Sequence, residues 1–304
     1  MVKKVEEQTV EIEGRTLLVR NMSKVLYPEA GFTKGEVIDY YARVAPTMLT
    51  HCGDRGVTLR RYPNGVDGQS FFEKRCASHR PDWVPAVVGP GDRDGHIYYC
   101  KLDSVPAVVW AANMAALEIH APMARCDDIA TPTMVVFDLD PGPPAAMREC
   151  AEVGMMLRDV LAGIGLECYP KTSGSKGLQI YVPVNAPGIT HEHASSFALA
   201  VGQAIEKQHA ELVLTVMKKD LRTGKVFIDW SQNSHHKTTI CAYSLRARPQ
   251  PTVSTPVTWD EVSDAADDAD LSFEAGDVLE RIAKHGDLWE LTATMQQEIP
   301  KPKS

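Results

Sequence analysis

The chain has 304 residues, 44% of them hydrophobic and 24% charged, and a net charge of −8. That length can bury a substantial core without disulfide support, and no apolar run approaches the ~20 residues of a membrane span. The start, Met1 to Glu7, turns acidic where a secretory signal would turn apolar, so the reading is a cytoplasmic protein. Seven cysteines (Cys52, Cys76, Cys100, Cys126, Cys150, Cys168 and Cys241) are odd in number and form no CxxC pair; reduced, mostly buried thiols are expected. The acidity is local. Residues 251–304 carry 12 acidic and 4 basic side chains, whereas the first 250 carry 28 of each. A basic face for phosphate therefore remains available.

In chain order, Thr9–Ile12 and Thr16–Val19 read as a hairpin turning at Glu13-Gly14. Thr33-Lys34-Gly35-Glu36 is a capping box, which predicts a helix running towards Pro46. Val57–Tyr62 reads as a strand stopped by Pro63-Asn64-Gly65, and Phe71–Lys74 as a short strand or edge. Ser104 is expected to cap a helix through Trp110, followed by a strand over Leu117–His120. Met134–Phe137 is the most apolar strand and ends in Asp138-Leu139-Asp140-Pro141-Gly142. A helix is predicted over about 145–163, with Met155, Met156, Leu157, Val160 and Leu161 facing the core. Strands follow near 167–171 and 178–184, then a helix over 191–208, a strand at Val226–Ile228 and another over Ala242–Leu245. The tail from Thr258 reads as helical, with Val262, Leu271, Val278, Leu279, Ile282 and Leu288 to bury. Strands and helices mix without regular βαβ alternation, which favours an α+β fold. The expected organisation is a single domain over 1–304, with a body over 1–257 and an acidic helical segment over 258–304 packed on it.

Three segments carry chemistry. On a strand, Asp138 and Asp140 point to one face while Leu139 points to the other; two such carboxylates repel, and a bound cation is the natural compensation. A strand end closed by a turn is the plainer alternative. Lys171-Thr172-Ser173-Gly174-Ser175-Lys176-Gly177 has the small residues and lysine of a phosphate cradle, although it lacks the Walker spacing and also reads as a turn. Phe227-Ile228-Asp229-Trp230-Ser231-Gln232 is a second apolar strand ending in an acid. Asp229 can supply a third carboxylate, and Arg222, Lys237, Arg246 and Arg248 around it can face triphosphate oxygens.

FDLDPG, KTSGSKG and IDWSQNS, in that order, resemble the three motifs of bacterial primase-polymerases of the archaeo-eukaryotic primase superfamily. The nearest resemblance is to the polymerase domain of end-joining ligase D and its stand-alone versions. NMSKVLYPEAGFTKGEVIDYY, RRYPNGVDGQSFFEK, LEIHAP, YSLRAR, TPVTWDEV and GDLW extend the resemblance over most of the chain. It implies a mixed two-sheet core with outer helices. It also implies primer extension with NTPs or dNTPs, often ribonucleotides, on gapped or broken DNA bearing a 5′-phosphate. By the same resemblance, Asp138, Asp140 and Asp229 are catalytic and hold two divalent cations, manganese favoured and magnesium second. Ser173, Lys176, Gln232, Arg246 and His120 match nucleotide-binding positions. Asn21, Lys24 and Lys34 match a 5′-phosphate site, while Arg61, Phe71, Phe72 and Arg222 match template-side positions.

Each role has a plainer rival: one of Phe71 and Phe72 packed in the core, Lys24 and Lys34 as solvated lysines, His120 as a satisfied buried histidine. One departure stands out. Gln179 occupies the place where the family usually has histidine after SGSKGL, and it cannot carry an imidazolium charge. No KxDG ligase motif is present, so a stand-alone polymerase with a separate DNA ligase and end-binding factor, nucleoid-associated when acting on DNA, is expected. Two other functions compete. FDLD also resembles the nucleophile motif of haloacid-dehalogenase phosphatases, but Pro141 and the roughly 130 preceding residues argue against that family. A non-catalytic DNA-end-binding module is the other, and three clustered acids disfavour it unless metal is present.

Overall fold

The computed structural model describes residues 6–89, 91 and 97–300; the acidic start read from Met1 lies outside them as far as Val5. The chain divides into two compact units. One comprises Met1–Ala121, Ile240–Val253 and Phe273–Gly286, the other Pro122–Thr239, Ser254–Ser272 and Asp287–Ser304.

The first unit opens with the predicted hairpin, β1 (Glu7–Ile12) and β2 (Arg15–Arg20), in antiparallel register with Val10 opposite Leu17. Its turn needs left-handed backbone, and both Glu13 and Gly14 adopt it. A small ribbon, β3 (Val25–Tyr27) and β4 (Phe32–Thr33), leads into α1 (Lys34–Cys52). The capping box forms as read: the Glu36 amide donates to Thr33 Oγ1 at 3.3 Å and the Thr33 amide to the Glu36 carboxylate at 2.7 Å. The helix does not stop at Pro46 but runs on to Cys52. An interior proline costs about 3 kcal/mol. Val44, Ala45, Met48 and Cys52 are all fully buried, and at ~1.5–3 kcal/mol for a large apolar side chain their burial outweighs that cost.

Strand β5 (Gly56–Arg61) pairs with β6 (Phe71–Glu73), with β8 (Ile97–Lys101) and with β9 (Ala116–Ala121), while β7 (Ala86–Gly89) pairs with β8. Between β8 and β9 lies α2 (Val105–Asn113), buried from Pro106 to Ala112. Ser104 occupies its N-cap position without a side-chain capping bond; Pro106 in the first turn supplies the start signal instead. The expectation of wholly reduced thiols is corrected here, because Cys76 and Cys100 form a disulfide. Sheet geometry, invisible in the 24-residue spacing, brings them together: the Cys76 amide bonds to the Tyr98 carbonyl at 2.7 Å, beside β8. The other five cysteines are free, and all but Cys126 are buried. The strand predicted over Ala242–Leu245 is also absent. Tyr243 sits at φ 68°, and side chains of α1 meet the backbone instead. The Tyr40 hydroxyl donates to the Tyr243 carbonyl at 2.8 Å, and the Leu245 amide donates to Tyr41 Oη at 3.1 Å.

The second unit is built on β10 (Met134–Pro141), α3 (Met147–Gly163), β11 (Tyr169–Thr172), β12 (Leu178–Pro183), α4 (His191–Gln208), β13 (Val213–Leu214) and β14 (Val226–Asp229). Its sheet has the order β11-β12-β10-β14-β13, antiparallel except for the parallel β13–β14 pair. The central strand β10 is apolar on both faces from Met134 to Phe137 and continues through both acids rather than ending before them. Helices α3 and α4 cover one face: Phe197 meets Phe137 edge-on, Gly154 packs at Leu178, and Gly202 packs at Ile228. On α3 the buried face is Cys150, Ala151, Val153, Gly154, Leu157 and Leu161; Met155, Met156 and Val160, expected in the core, are only half-buried. Helix α5 (Trp259–Ala266) packs on α3 in the same unit. The last helix, α6 (Ala275–His285), packs on α1 in the first unit. Of the tail residues read as apolar anchors, Val262, Leu271 and Val278 are buried, and Leu279, Ile282 and Leu288 are half-buried. No helix among the described residues is long and apolar enough to cross a membrane.

Candidate active site

Alternation along β10 puts Phe137 and Leu139 against the helices and turns Asp138 and Asp140 to the opposite face. Register then brings in the third acid, because Asp138 is the direct partner of Asp229 on β14. Each carboxylate has a different neighbourhood. Asp138 is largely enclosed and accepts one hydrogen bond, from Gln179 Nε2 at 3.0 Å. Asp140 is half-exposed, with Arg222 Nη1 at 3.9 Å. Asp229 accepts from the Ser231 amide at 3.0 Å, from Ser231 Oγ and from Gln232 Nε2 at 3.0 Å, and Lys237 lies at 4.0 Å. Burial and the neighbouring charge of Asp140 push Asp138 up to about 7, and burial with Asp229 raises Asp140. Proximity of like charges is being resisted by protonation.

The donor set is all carboxylate oxygen, which suits a hard divalent cation such as magnesium or manganese and not a thiolate-loving one. Among the described residues no three ligating side chains converge as a finished cage, since Asp229 is turned to Ser231 and Gln232, and Asp140 to Arg222. The residues fit a divalent site whose charge is now shared among these partners. Gln232 and Arg222, read as nucleotide and template contacts, thus both border the carboxylates. The Arg222 guanidinium also stacks 3.8 Å from the centre of the Phe227 ring.

The KTSGSKG loop closes on itself. Ser173 Oγ accepts from the amides of Ser175 and Gly177 at 3.3 and 3.1 Å, and the Ser173 amide donates to the Gly177 carbonyl at 2.9 Å. Gly177 is obligatory, since an added Cβ would stand 2.2 Å from the Leu139 carbonyl oxygen. Ser173 is buried, whereas Lys176 is exposed and, with Ser175, Pro141, Met147 and Leu271, lines a cavity of about 320 Å³.

In the first unit, sequence reasoning named His120 and Arg246 and missed the residue that holds them. Glu118 is 2% exposed. It faces His120 Nε2 at 3.0 Å, Arg246 Nε at 3.3 Å, Arg60 Nη1 at 3.5 Å and the Ala247 amide at 3.1 Å. Burial alone would raise its carboxyl; the His120 bond and the Arg246 guanidinium outweigh this and hold it at about 2. Burial lowers His120 despite that carboxylate. The signal was legible: Glu118 and His120 alternate on β9 as Asp138 and Asp140 do on β10. We expect Glu118→Ala to cost on the order of 3 kcal/mol in urea denaturation, because it removes the buried carboxylate with which Arg246 and Arg60 pair. Glu118→Gln should cost less, because the amide oxygen still accepts hydrogen bonds from these partners.

Lys34, far from being a solvated lysine, is 7% exposed. Its ammonium donates to the Arg20 carbonyl at 2.7 Å and to Asn113 Oδ1 at 2.8 Å. Lys24 donates to the Pro63 carbonyl and to Asn64 Oδ1, and Asn21 stands at φ 55° three residues before it. Neither lysine makes an ion pair among the described residues. Burial, then Lys24, Arg20 and Arg61, bring Lys34 down to about 8. Arg20 beside them pairs with Glu7 at 2.8 Å, but the two lysines, near the N-terminus of the 19-residue α1, keep their charge available to an anion. Phe71 and Phe72 are both exposed, at 45% and 56%, so neither is core. Arg61 stacks on Phe71 and Arg60 on Phe72, with ring-centre distances of 5.2 and 5.1 Å. Arg61 also pairs with Glu73 at 3.2 Å.

A mixed α+β fold with clustered carboxylates on a central strand defines a candidate metal-dependent transferase, and comparison with known proteins supplies the family. Residues 33–289 match the family model described as LigD, primase-polymerase domain. The multifunctional non-homologous end joining DNA repair protein LigD of Mycobacterium tuberculosis is 46% identical over 280 residues, covering 89% of this chain and 36% of that protein. The bifunctional non-homologous end joining protein LigD of Bacillus subtilis is 30% identical over 266 residues, covering 88% and 42%. The chain therefore spans well under half the length of these curated relatives. The solved polymerase domain of Mycobacterium tuberculosis ligase D in complex with DNA matches with a TM-score of 0.86 at 43% identity, covering 92% of this chain and 99% of that one. The chain belongs to the LigD primase-polymerase domain family. Members of this family are metal-dependent, DNA-directed nucleotidyltransferases.

Proposed function

We propose that this protein extends a primer 3′-hydroxyl with NTPs or dNTPs on gapped or broken DNA bearing a 5′-phosphate, as the gap-filling polymerase of end joining. The observation that carries the reading is the placement of Asp138 opposite Asp229, with Asp140 on the same face of one sheet. Asp138, Asp140 and Asp229 would hold two divalent cations, manganese preferred. When bound, such ions activate the attacking hydroxyl and neutralise the leaving pyrophosphate.

The remaining work falls to side chains. Ser173 shapes the loop from which Lys176 reaches triphosphate oxygens. Gln232 orients Asp229, while His120 and Arg246, held by Glu118, contact the nucleotide. Phe71 and Phe72 offer π-faces to template bases, which any base can use; Arg61 supports that strand and Arg222 lies on the template side. Asn21, Lys24 and Lys34 grip the 5′-phosphate. A DNA ligase and an end-binding factor are the partners this chemistry calls for, and the nucleoid is its place of action. The test is extension of a labelled primer across a short 5′-phosphorylated gap with manganese and either NTPs or dNTPs. Extension is expected, and tight gap binding without any incorporation would instead support an end-binding module.

A further inference from the structure

Lys171, Gln179, Asp138 and Asp229 stand in register on four neighbouring strands, each the direct partner of the next. The first member is unusual. Lys171 is 1% exposed, a charged side chain in the core. Its ammonium donates to Gln179 Oε1 and to Ser254 Oγ at 2.6 Å, and it lies 5.5 Å and 5.9 Å from the ring centres of Tyr181 and Trp289. A buried ammonium needs acceptors and π-faces around it. That need fixes the glutamine, because only the carbonyl end of an amide can accept from a cation. The Tyr181 hydroxyl, 3.3 Å from the same oxygen, reinforces the choice. With Oε1 turned to Lys171, the NH2 end can face only the other way, and it meets Asp138 Oδ1 at 3.0 Å.

We propose that Lys171 and Gln179 are positioning residues for the catalytic carboxylate Asp138: the buried ammonium locks the amide, and the amide clamps Oδ1 so that Oδ2 faces the divalent site. The inference rests on the proposed function only in taking Asp138 as a metal-binding group. It defines what position 179 must provide, namely an acceptor at one end and a donor at the other. A neutral imidazole has both, so histidine and glutamine are equivalent here. A protonated imidazole could not accept from Lys171, so charge at position 179 is not what the site uses. The departure noted in the sequence therefore preserves the relay.

The experiment combines Mn2+ titration of the DNA-free protein, read by the EPR signal of free Mn2+, with primer-extension kinetics and a thermal melt. Gln179→Leu should weaken Mn2+ binding about tenfold and lower kcat about a hundredfold, with nucleotide KM changed less than threefold. Gln179→His should stay within threefold of wild type in every parameter. Lys171→Met, which frees the amide to turn, should weaken Mn2+ binding by roughly threefold or more. If Gln179→Leu does not fold, Gln179→Asn keeps polarity but cannot span both partners, and should show the same Mn2+ defect. A folded Leu or Asn variant that binds Mn2+ as wild type does would overturn the proposal, and so would equal losses in the His and Leu variants. Failure of the function reading looks different: wild type would then bind Mn2+ in a Gln179-dependent way yet extend no primer.

Discussion

Primer extension by an Asp138→Ala, Asp140→Ala double variant should fall by about 10³-fold or more, below detection in a gap-filling assay. Two divalent ions contribute several kcal/mol to a phosphoryl-transfer transition state, and each 1.36 kcal/mol is a factor of ten. The sheet leaves no substitute, because Asp229 alone is already engaged by Ser231 and Gln232. Folding should respond in the opposite sense. Asp138 sits at about 7 in the fold against an ordinary 3.8, so between those values the folded state binds more protons than the unfolded one. Metal-free stability therefore falls as pH rises through that window. Asp138→Asn keeps an acceptor for Gln179 and removes the charge. At pH 8 without metal it should be more stable than wild type by on the order of 1–2 kcal/mol, a few degrees in Tm. Manganese should raise the wild-type Tm and leave that of the variant unmoved. Robust incorporation by the double variant would refute two-metal chemistry at this site. A wild type insensitive to manganese in both assays would do the same.

The parts of this molecule that were legible in the sequence are those governed by short-range rules. Alternation of two placed Asp138 and Asp140 on one face, and the Thr33–Glu36 capping box placed the start of α1, because both depend only on neighbouring residues. Register is a longer-range property. That Asp229 faces Asp138, and that Lys171, Gln179 and Asp138 form one row, follows from strand pairing, which no local pattern encodes. The Cys76–Cys100 disulfide was missed for the same reason, and compartment-based cysteine reasoning pointed away from it. The helix read as running towards Pro46 continues past it, because the burial of the residues beyond, Met48 and Cys52 among them, is not visible in the local pattern. Ala242–Leu245 failed as a strand because Tyr40 and Tyr41, some 200 positions away, claim its backbone groups. Glu118 is the instructive omission. Its alternation with His120 was visible, but a lone acid in an apolar strand carries no sign of the guanidinium groups that come to it from Arg60 and Arg246.

The second large effect concerns Lys34, where pH should move binding and folding in opposite directions. The ammonium sits at about 8 against an ordinary 10.5, chiefly because it is buried, with Lys24, Arg20 and Arg61 adding repulsion. A 5′-phosphate is dianionic above its second ionisation near pH 6, so it selects the charged form of Lys34. The preference for a phosphorylated over an unphosphorylated gap should therefore be nearly flat around pH 7 and drop about twofold by pH 8. Above that it should fall by up to tenfold per pH unit, as the free protein loses the proton that binding must restore. Folding runs the other way: between about 8 and 10.5 the unfolded chain binds the extra proton, so stability contributed by this group rises with pH. Lys34→Ala should abolish the pH dependence of the preference and reduce the preference itself by roughly tenfold or more, since a charge-assisted contact to phosphate is lost. Lys24→Ala should reduce the preference while moving its midpoint to higher pH, because one repelling neighbour of Lys34 is gone. Fluorescence anisotropy with matched gaps, at constant ionic strength from pH 7 to 9.5, decides the matter. Equal discrimination by wild type and Lys34→Ala across that range would remove the 5′-phosphate from this cluster of cations.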